Sequence, residues 1–443
     1  MSADTGSMLE MGCTKMQYPS ASKTKIALIS CLPIVIVGCY IYSFGLNIPV
    51  GDQWDFASLY IKSQHDTITV GELFSQHNEH RPFFPRLIWI ISAYLTQYNV
   101  NAELWINFFI AISTFCFFIW QSRKFWIYYG IKPNGWTISL ISLVIFNLGQ
   151  WESWLVGFQT IMYLGMSCVV SGCLLLAQHQ NIFNFLVAGV LGYIATFSMA
   201  NGIFYWICGI LIISCYPTGM RLHRLSMWLL FALGSMWLFF NEWHTHSHLA
   251  FSVICNNIFL WGAWVFNFLG APIFTYWYIA WLFGILSLLL YGAILLYSDK
   301  KKLTLISPYL AITLFVILSA LAISSGRFVE NKPSYSTISR YLTISSWYWG
   351  ALFTLLPILE NRFPYRRWIN IIIAPPLVAL MFGGAWVGYE NRYLLTLPAY
   401  EATKKKEILT DSQLAYLYPE PSKAQRLLEQ LKTYKLSVYA EHP

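Results

Sequence analysis

Long unbroken apolar runs dominate the chain, and they are not arranged as amphipathic stripes. Tyr276 to Ser298 contains no charged residue, and Lys301 to Ser325 contains none after Lys302. Runs of about 20 apolar residues are long enough to cross the hydrocarbon core of a bilayer. The pattern places spans near 26–45, 102–122, 136–150, 160–177, 184–200, 203–216, 225–241, 276–297, 303–324, 341–358 and 368–388. About eleven crossings put the two termini on opposite faces. The first 24 residues are polar and lack a small-residue cleavage site after a short apolar core, so Ile26 to Phe44 reads as an uncleaved first span.

The connections are uneven. The segment from Leu46 to Asn101 is too long for a simple loop, and within it Phe83 to Leu95 is apolar but short, bounded by Pro82 and Pro85. That pattern predicts a helix lying at the membrane surface. In the tail, Ser422 with Gln425 has the form of a capping box, and Ala424, Leu427, Leu428 and Leu431 form an apolar stripe. The expected organisation is an N-terminal segment 1–25, an all-α membrane domain 26–388 that includes the loop 46–101, and a tail 389–443 carrying an amphipathic lid or dock.

Composition agrees with the pattern. Of 443 residues 57% are hydrophobic and 11% charged, against about 25% charged in soluble domains. The net charge of +8 needs no nucleic-acid partner, because membrane proteins concentrate Lys and Arg in cytoplasmic loops. Lys23 and Lys25, Arg123, Lys124 and Lys132, Arg221 and Arg224, Lys300 to Lys302, and Arg362, Arg366 and Arg367 all fall on one face of the expected topology. That face is therefore read as cytoplasmic, with the 46–101 loop, the 325–340 loop and the tail opposite. The nine cysteines show no CxxC pair and read as small, lipid-compatible residues.

Candidate chemistry gathers outside the spans, which are almost free of ionisable groups; ion-coupled transporters normally keep such groups inside. Asp52 and Asp55 follow the first span. Partial burial there is expected to raise a carboxylate's pKa and suit it to accept a proton from a sugar hydroxyl; an acidic helix cap is the competing reading. His77, Asn78, Glu79, His80 and Arg81 precede the surface helix. The two histidines could ligate a metal, for which that spacing is weak evidence; sugar or phosphate hydrogen bonding and plain exposure are the other readings. His244, His246 and His248 form an alternating run for which metal binding is the lesser reading and loop solvation the default. Trp151, Glu152 and Gln159 sit at an outer helix end, either as an interfacial anchor or as a sugar grip. Arg327 and Arg340, the latter followed by Tyr341, offer a planar clamp for a lipid-borne phosphate or simply snorkel at the interface.

In this order the pieces resemble the bacterial GT-C glycosyltransferases, in which a first span is followed by a large outward loop with an early acidic residue and an HPPL-like segment. Here Asp52 takes the acidic position and His80-Arg81-Pro82-Phe83 the later one, which is not a letter-for-letter match. More narrowly the chain is similar to the polytopic O-antigen-modifying, serotype-converting glucosyltransferases. The similarity rests on DQW at 52–54, HNEHR at 77–81, WESWLVGFQ at 151–159, ANG at 200–202, GR at 326–327, SRY at 339–341 and Leu417-Tyr418-Pro419.

The resemblance implies an inverting, metal-independent, cofactor-free transfer of a hexose, glucose by the same resemblance, from a polyprenyl-phosphate donor to O-antigen or a related lipid-linked glycan. It implies a multi-pass protein of the bacterial inner membrane, with a cytoplasmic N-terminus and periplasmic C-terminus, working beside a companion flippase and donor synthase. Asp52 is then the general base with Asp55 as substitute. Arg327 and Arg340, helped by Arg81, hold the phosphate. His77, Glu79, His80, Trp151, Glu152, Gln159 and Tyr341 shape the sugar site. A flippase or exporter of lipid-linked glycans and an O-antigen polymerase are the alternatives. The first needs a polar path through the membrane, and the second normally carries its large loop late in the chain.

Overall fold

The computed structural model describes residues 20–64, 67–133, 135–178, 181–244, 251–328, 333–360 and 367–440. Among these the regular elements are helices, with one isolated bridge between His77 and His80. Eight helices are long and apolar enough to cross a membrane: Lys25–Phe44, Val100–Tyr129, Gly157–Leu176, Gly219–Phe240, Trp277–Tyr297, Lys300–Arg327, Ser339–Leu359 and Ile372–Lys404. This is an all-α polytopic membrane protein.

Each span expected from hydropathy falls on a helix, but Gly135–Ile145, Ile182–Thr196 and Ala200–Ser214 are shorter than a full crossing. A further apolar helix, Ile258–Gly270, lies in what the hydropathy pattern leaves as a loop. Its 13 residues are too few to fill a window of membrane thickness. The last span runs past 388 through a π-turn, Tyr389–Leu394, and continues as Leu395–Lys404. Glu390 and Arg392 end the apolar window there. Yet Arg392 is buried and donates to Thr396 Oγ1 at 2.5 Å, so the helix absorbs the charge and goes on.

Burial sorts the bundle into centre and rim. The Ser339–Leu359 segment is 94% buried and Gly157–Leu176 78%, whereas Lys25–Phe44, Gly219–Phe240 and Trp277–Tyr297 are each 28% buried and present apolar faces outward. Lipid tails are as apolar as Leu, so helices in a bilayer associate through close packing and interhelical hydrogen bonds. Both are present. Thr343 Oγ1 donates to Ser153 Oγ at 2.7 Å, Thr114 Oγ1 to Ser167 Oγ at 2.8 Å, and Tyr291 Oη to the Tyr348 carbonyl at 2.7 Å. Gly270 and Gly284 let Ile258–Gly270 and Trp277–Tyr297 touch backbone to backbone, where any Cβ would overlap the facing chain. At the end of the bundle away from the 46–98 loop, Lys124 lies 3.4 Å over the Trp120 ring and Lys302 donates to the Tyr129 carbonyl.

A second, smaller core stands apart from the bundle core. Leu46, Ile48, Trp54 and Tyr60 of the first loop pack with Leu417, Leu428 and Leu431 of the tail. Two backbone bonds stitch the pieces: Gly51 N–H to the Leu417 carbonyl at 2.7 Å, and Ser437 N–H to the Gln97 carbonyl at 2.8 Å. The first loop and the tail, far apart in sequence, therefore form one outer unit. The tail helix spans Pro421–Thr433 and buries Ala424, Leu427, Leu428 and Leu431, the expected stripe. Its start differs from the capping-box expectation. Glu420 is the N-cap without a side-chain bond and Pro421 opens the first turn, leaving Ser422 inside the helix. Proline at this position is pre-set for helix and has no N–H to satisfy. The surface helix is Phe83–Thr96, 14 residues and too short to cross.

Leu431→Ala, at a fully buried position, is expected to destabilise the outer unit by about 2–5 kcal/mol through loss of apolar contact and an unfilled cavity. Hydrogen exchange should accelerate over 411–433 and around 53–63 while the Lys300–Arg327 span keeps its protection.

Candidate functional site

Five consecutive residues, Asp52 to Phe56, open the Gln53–Ser63 helix, and each is directed to a different neighbour. Gln53 is buried and donates from Nε2 to Glu103 Oε2 of the second span at 2.8 Å. Trp54 is fully buried in the outer core. Asp55 accepts from Lys423 Nζ at 2.6 Å and from Tyr418 Oη at 3.2 Å. Phe56 lies between the Trp89, Phe158 and His77 rings. Asp52 holds the N-cap position but makes no cap hydrogen bond. Its carboxylate instead faces His77 Nε2 at 3.7 Å and its side chain is 46% exposed. The pair thus sits at a helix start, as the capping reading expects, but the Asp52 side chain makes no cap bond and Asp55 is already engaged.

His77 is placed by a tight turn. His77 N–H donates to the His80 carbonyl at 2.8 Å and His80 N–H returns to His77 at 2.9 Å, with Asn78 at φ 48°. Asparagine is among the few residues that tolerate that left-handed backbone. The chemistry of the segment thus begins with a turn requirement. The His77 ring is wedged against Phe56 and Phe158, and its Nε2 is buried with no hydrogen-bond partner. His80 points the other way and accepts the Ala200 N–H on Nδ1 at 2.9 Å, which fixes its Nε2–H tautomer. Burial pushes its pKa down to about 4, so it is neutral at physiological pH. That bond also explains the Ala200-Asn201-Gly202 segment: it holds the base of the outer turn.

Two ion pairs close the same end of the bundle. Arg327 Nη2 meets Glu79 Oε2 at 3.0 Å, and Arg340 Nη1 meets Glu152 Oε1 at 2.9 Å. The Glu152 backbone N–H donates to Ser339 Oγ at 3.1 Å, so the Trp151–Leu155 turn and the Ser339–Tyr341 turn are locked together.

Asp52 feels these groups. His77 is the main cause that holds its carboxyl below the usual range; partial burial acts the other way, and Arg340 and His80 add to the lowering. At 3.7 Å the His77 contact is a close electrostatic one, longer than a normal hydrogen bond. The expectation that burial raises this pKa is thereby reversed. The three ligand atoms of Asp52, Asp55 and His77 lie within 4.8 Å of one another, a spacing that a cation could bridge. The Lys423 ammonium already places a positive charge against Asp55.

The remaining expected residues divide. Arg81 is buried, and its guanidinium donates to the Phe74 carbonyl at 3.2 Å and to the Asn241 carbonyl. These bonds tie loops together. Tyr341 is buried against Trp264 and Phe268, and Trp151 packs against Gly388. Gln159 is buried with its Oε1 unpartnered. His244 contributes its backbone to Gln76, accepting at 2.6 Å and donating at 3.0 Å; His246 and His248 lie outside the described residues. Three positions that the sequence reading did not single out, Glu103, Arg86 and Lys423, complete the frame with Gln53 of the DQW segment. Arg86 is buried and donates to the carbonyls of Glu72, Leu73 and Ser75. Desolvation lowers its pKa to about 10. Arginine and lysine at these positions show no sequence pattern; the only signal was Glu103, an acid inside an otherwise apolar span.

No family model matches the sequence, and no curated protein matches it. Among solved structures the fold is similar to ArnT from Cupriavidus metallidurans in the apo state, with a TM-score of 0.47 and 15% identity over 95% of this chain and 76% of that one. It is similar to the same protein bound to undecaprenyl phosphate, with a TM-score of 0.47 and 14% identity over 94% and 77% of the two chains.

Gly157 sits where any Cβ would overlap the Glu103 carboxylate and the Gln53 amide, whereas Gly292 opens on empty space. Gly157→Ala is expected to cost about 1–3 kcal/mol by overpacking, and Gly292→Ala to be neutral or mildly stabilising. Thermal unfolding of the two purified variants checks the contrast.

Proposed function

We propose that the chain is a membrane-embedded glycosyltransferase of the GT-C type, moving a sugar from a polyprenyl-phosphate donor to a glycan acceptor at the outer membrane surface. The observation that carries this reading is the convergence of an uncapped carboxylate, Asp52, with Arg340, Arg327 and their glutamates at one end of the bundle. A carboxylate beside fixed guanidinium groups suits a reaction that takes a proton from a hydroxyl while a phosphate departs.

In this reading the acceptor hydroxyl lies against Asp52. Its oxygen bonds to the anomeric carbon from one face as the bond to the donor phosphate breaks on the other, giving inversion. Positive charge builds on the sugar ring in such transfers, so the hydroxyl becomes acidic late, and an ionised, weakly basic aspartate is adequate to take the proton. His77 stands 3.7 Å behind Asp52 and is placed to receive the proton afterwards. Arg327 and Arg340 hold the departing polyprenyl monophosphate. Glu79 and Glu152 orient those arginines, while His80, Gln159, Trp151 and Tyr341 shape the walls. Asp52 is preferred to Asp55 as base because Asp55 is bonded to Lys423 and Tyr418. The finer reading is a hexose donor, glucose by resemblance, an O-antigen acceptor, and a bacterial inner membrane with the site on the periplasmic side.

The test is label transfer in membranes containing the protein, given a radiolabelled polyprenyl-phosphate hexose and a lipid-linked O-antigen acceptor. Transfer is expected. Asp52→Asn should abolish it with membrane abundance unchanged, and Asp55→Asn should retain part of it. No transfer from any hexose donor sinks the reading.

A pH profile adds a signed prediction. Because Asp52 is depressed chiefly by His77, the acid limb of kcat/KM should lie below the ordinary aspartate value of about 3.9. In His77→Leu the limb should move to higher pH. An unmoved limb would assign it to another group.

A further inference from the structure

We propose that the outer unit carries a second carbohydrate subsite, a cavity at the far end of the Gln53–Ser63 helix that holds a pyranose of the acceptor glycan. The cavity has a volume of about 530 Å³ and is lined by Tyr60, Gln64, Tyr94, Gln97, Tyr434 and Lys435. It is built between the first loop and the tail. None of its residues takes part in the charged site described above.

The lining has the chemistry of a sugar site. A pyranose presents apolar C–H faces that stack on aromatic rings and a rim of hydroxyls that exchange hydrogen bonds with amides and phenols. Tyr94 projects into solvent at 69% exposure, whereas Tyr60 is buried and donates from its hydroxyl to the Ala93 carbonyl at 3.1 Å. One ring is thus a platform and the other part of the wall. Gln64 and Gln97 supply side-chain amides with both donors and an acceptor. The volume lies within the ~300–1,000 Å³ typical of small-molecule sites, which leaves room for one sugar ring and its first-shell water.

The backbone around the cavity is held in an unusual state. Four of the seven non-glycine residues with positive φ among the described residues cluster here: Gln97 at 54°, Tyr98 at 57°, Lys435 at 53° and Ser437 at 56°. Such conformations are strained and persist where surroundings over-determine them, often at binding sites. The surroundings here are explicit: Ser437 N–H bonds the Gln97 carbonyl, and Ser437 Oγ bonds the Asn47 carbonyl at 3.2 Å. The two strained turns hold each other, and together they form the cavity rim.

Position supplies the link to function. Eight residues separate Asp52 from Tyr60 on or beside one helix, roughly 12 Å at helical rise. That is the reach of two or three sugar units. A glycan with its reacting hydroxyl at Asp52 can therefore seat a neighbouring residue in the cavity. This assignment of the occupant rests on the transferase reading; the cavity's affinity for sugar does not.

The test uses the full chain in lipid nanodiscs, since sugar-headed detergents would compete. Binding of O-polysaccharide, released from lipopolysaccharide by mild acid and added without donor, is measured for wild type, Tyr94→Ala and Tyr416→Ala. Tyr416 is an exposed tyrosine outside the cavity. Saturable binding to wild type and Tyr416→Ala, weakened about tenfold in Tyr94→Ala by loss of the stacking ring, supports the subsite. No saturable binding to wild type, equal binding to Tyr94→Ala, or equal loss in both variants overturns it. In the transfer assay the acceptor KM of Tyr94→Ala should rise to a similar degree, unlike the kcat loss of Asp52→Asn. If glycan binds with this pattern and no transfer is ever seen, the transferase reading fails and the subsite stands.

Discussion

The hydrogen bond between Gln53 and Glu103 is the joint on which the arrangement depends. Both side chains are buried, at 2% and 4% exposure, and neither has water to fall back on. An unpaired polar group at that depth costs about 1–3 kcal/mol, so the pair fixes the start of the Gln53–Ser63 helix against the second span. Gly157 makes room for it by having no side chain. Once Gln53 is fixed, helical geometry dictates the rest: Trp54 enters the outer core, Asp55 meets the tail, Phe56 meets His77, and Asp52 is left at the helix end facing His77. The membrane bundle therefore orients the Gln53–Ser63 helix through a polar contact as well as through apolar packing.

The same geometry explains why tail and loop form one unit. Alone, the Pro421–Thr433 helix offers a single apolar stripe and the first loop offers Leu46, Ile48 and Trp54, neither enough for an independent core. Joined, they bury each other's apolar faces and add the Lys423–Asp55 contact at the seam. That pair is partly exposed, so its direct contribution to stability is small. Its consequence is chemical: it engages the Asp55 carboxylate and leaves Asp52, beside it, as the available one.

Much of the architecture was legible in the sequence because a bilayer writes its thickness into the chain. Each expected span is a helix, and the stripe of Ala424, Leu427, Leu428 and Leu431 is the buried face of the tail helix. Errors arose where length and charge mislead. Ile258–Gly270 was too short to register, and Arg392 looked like an end because nothing local reveals that it is buried beside Thr396. In the site, the clusters around Asp52, His77, Glu152 and Arg340 were visible as polar islands in an apolar chain, and the fold does bring them together. Their pairing was not visible. Whether Arg81 faces a ligand or two backbone carbonyls, and whether burial or His77 governs Asp52, depends on contacts across more than a hundred residues or on the turn at Asn78.

If the proposed transferase reading holds, the two arginine–glutamate pairs bear on how an anionic lipid phosphate would be recognised. A guanidinium has five N–H donors, and the contacts of Arg327 with Glu79 and of Arg340 with Glu152 each engage one nitrogen. The carboxylates thus orient the planar groups while leaving donor capacity for a phosphate. They also cancel much of the positive charge in its absence, which keeps two cations from repelling each other near a low-dielectric boundary. On the proposed transferase reading, a dianionic leaving group would offer more charge than a phosphodiester donor, so arginines arranged this way would interact more strongly with the product side of the transfer than with the bound donor. That difference is what accelerates a reaction, and it follows from pre-paired arginines set beside a single open carboxylate.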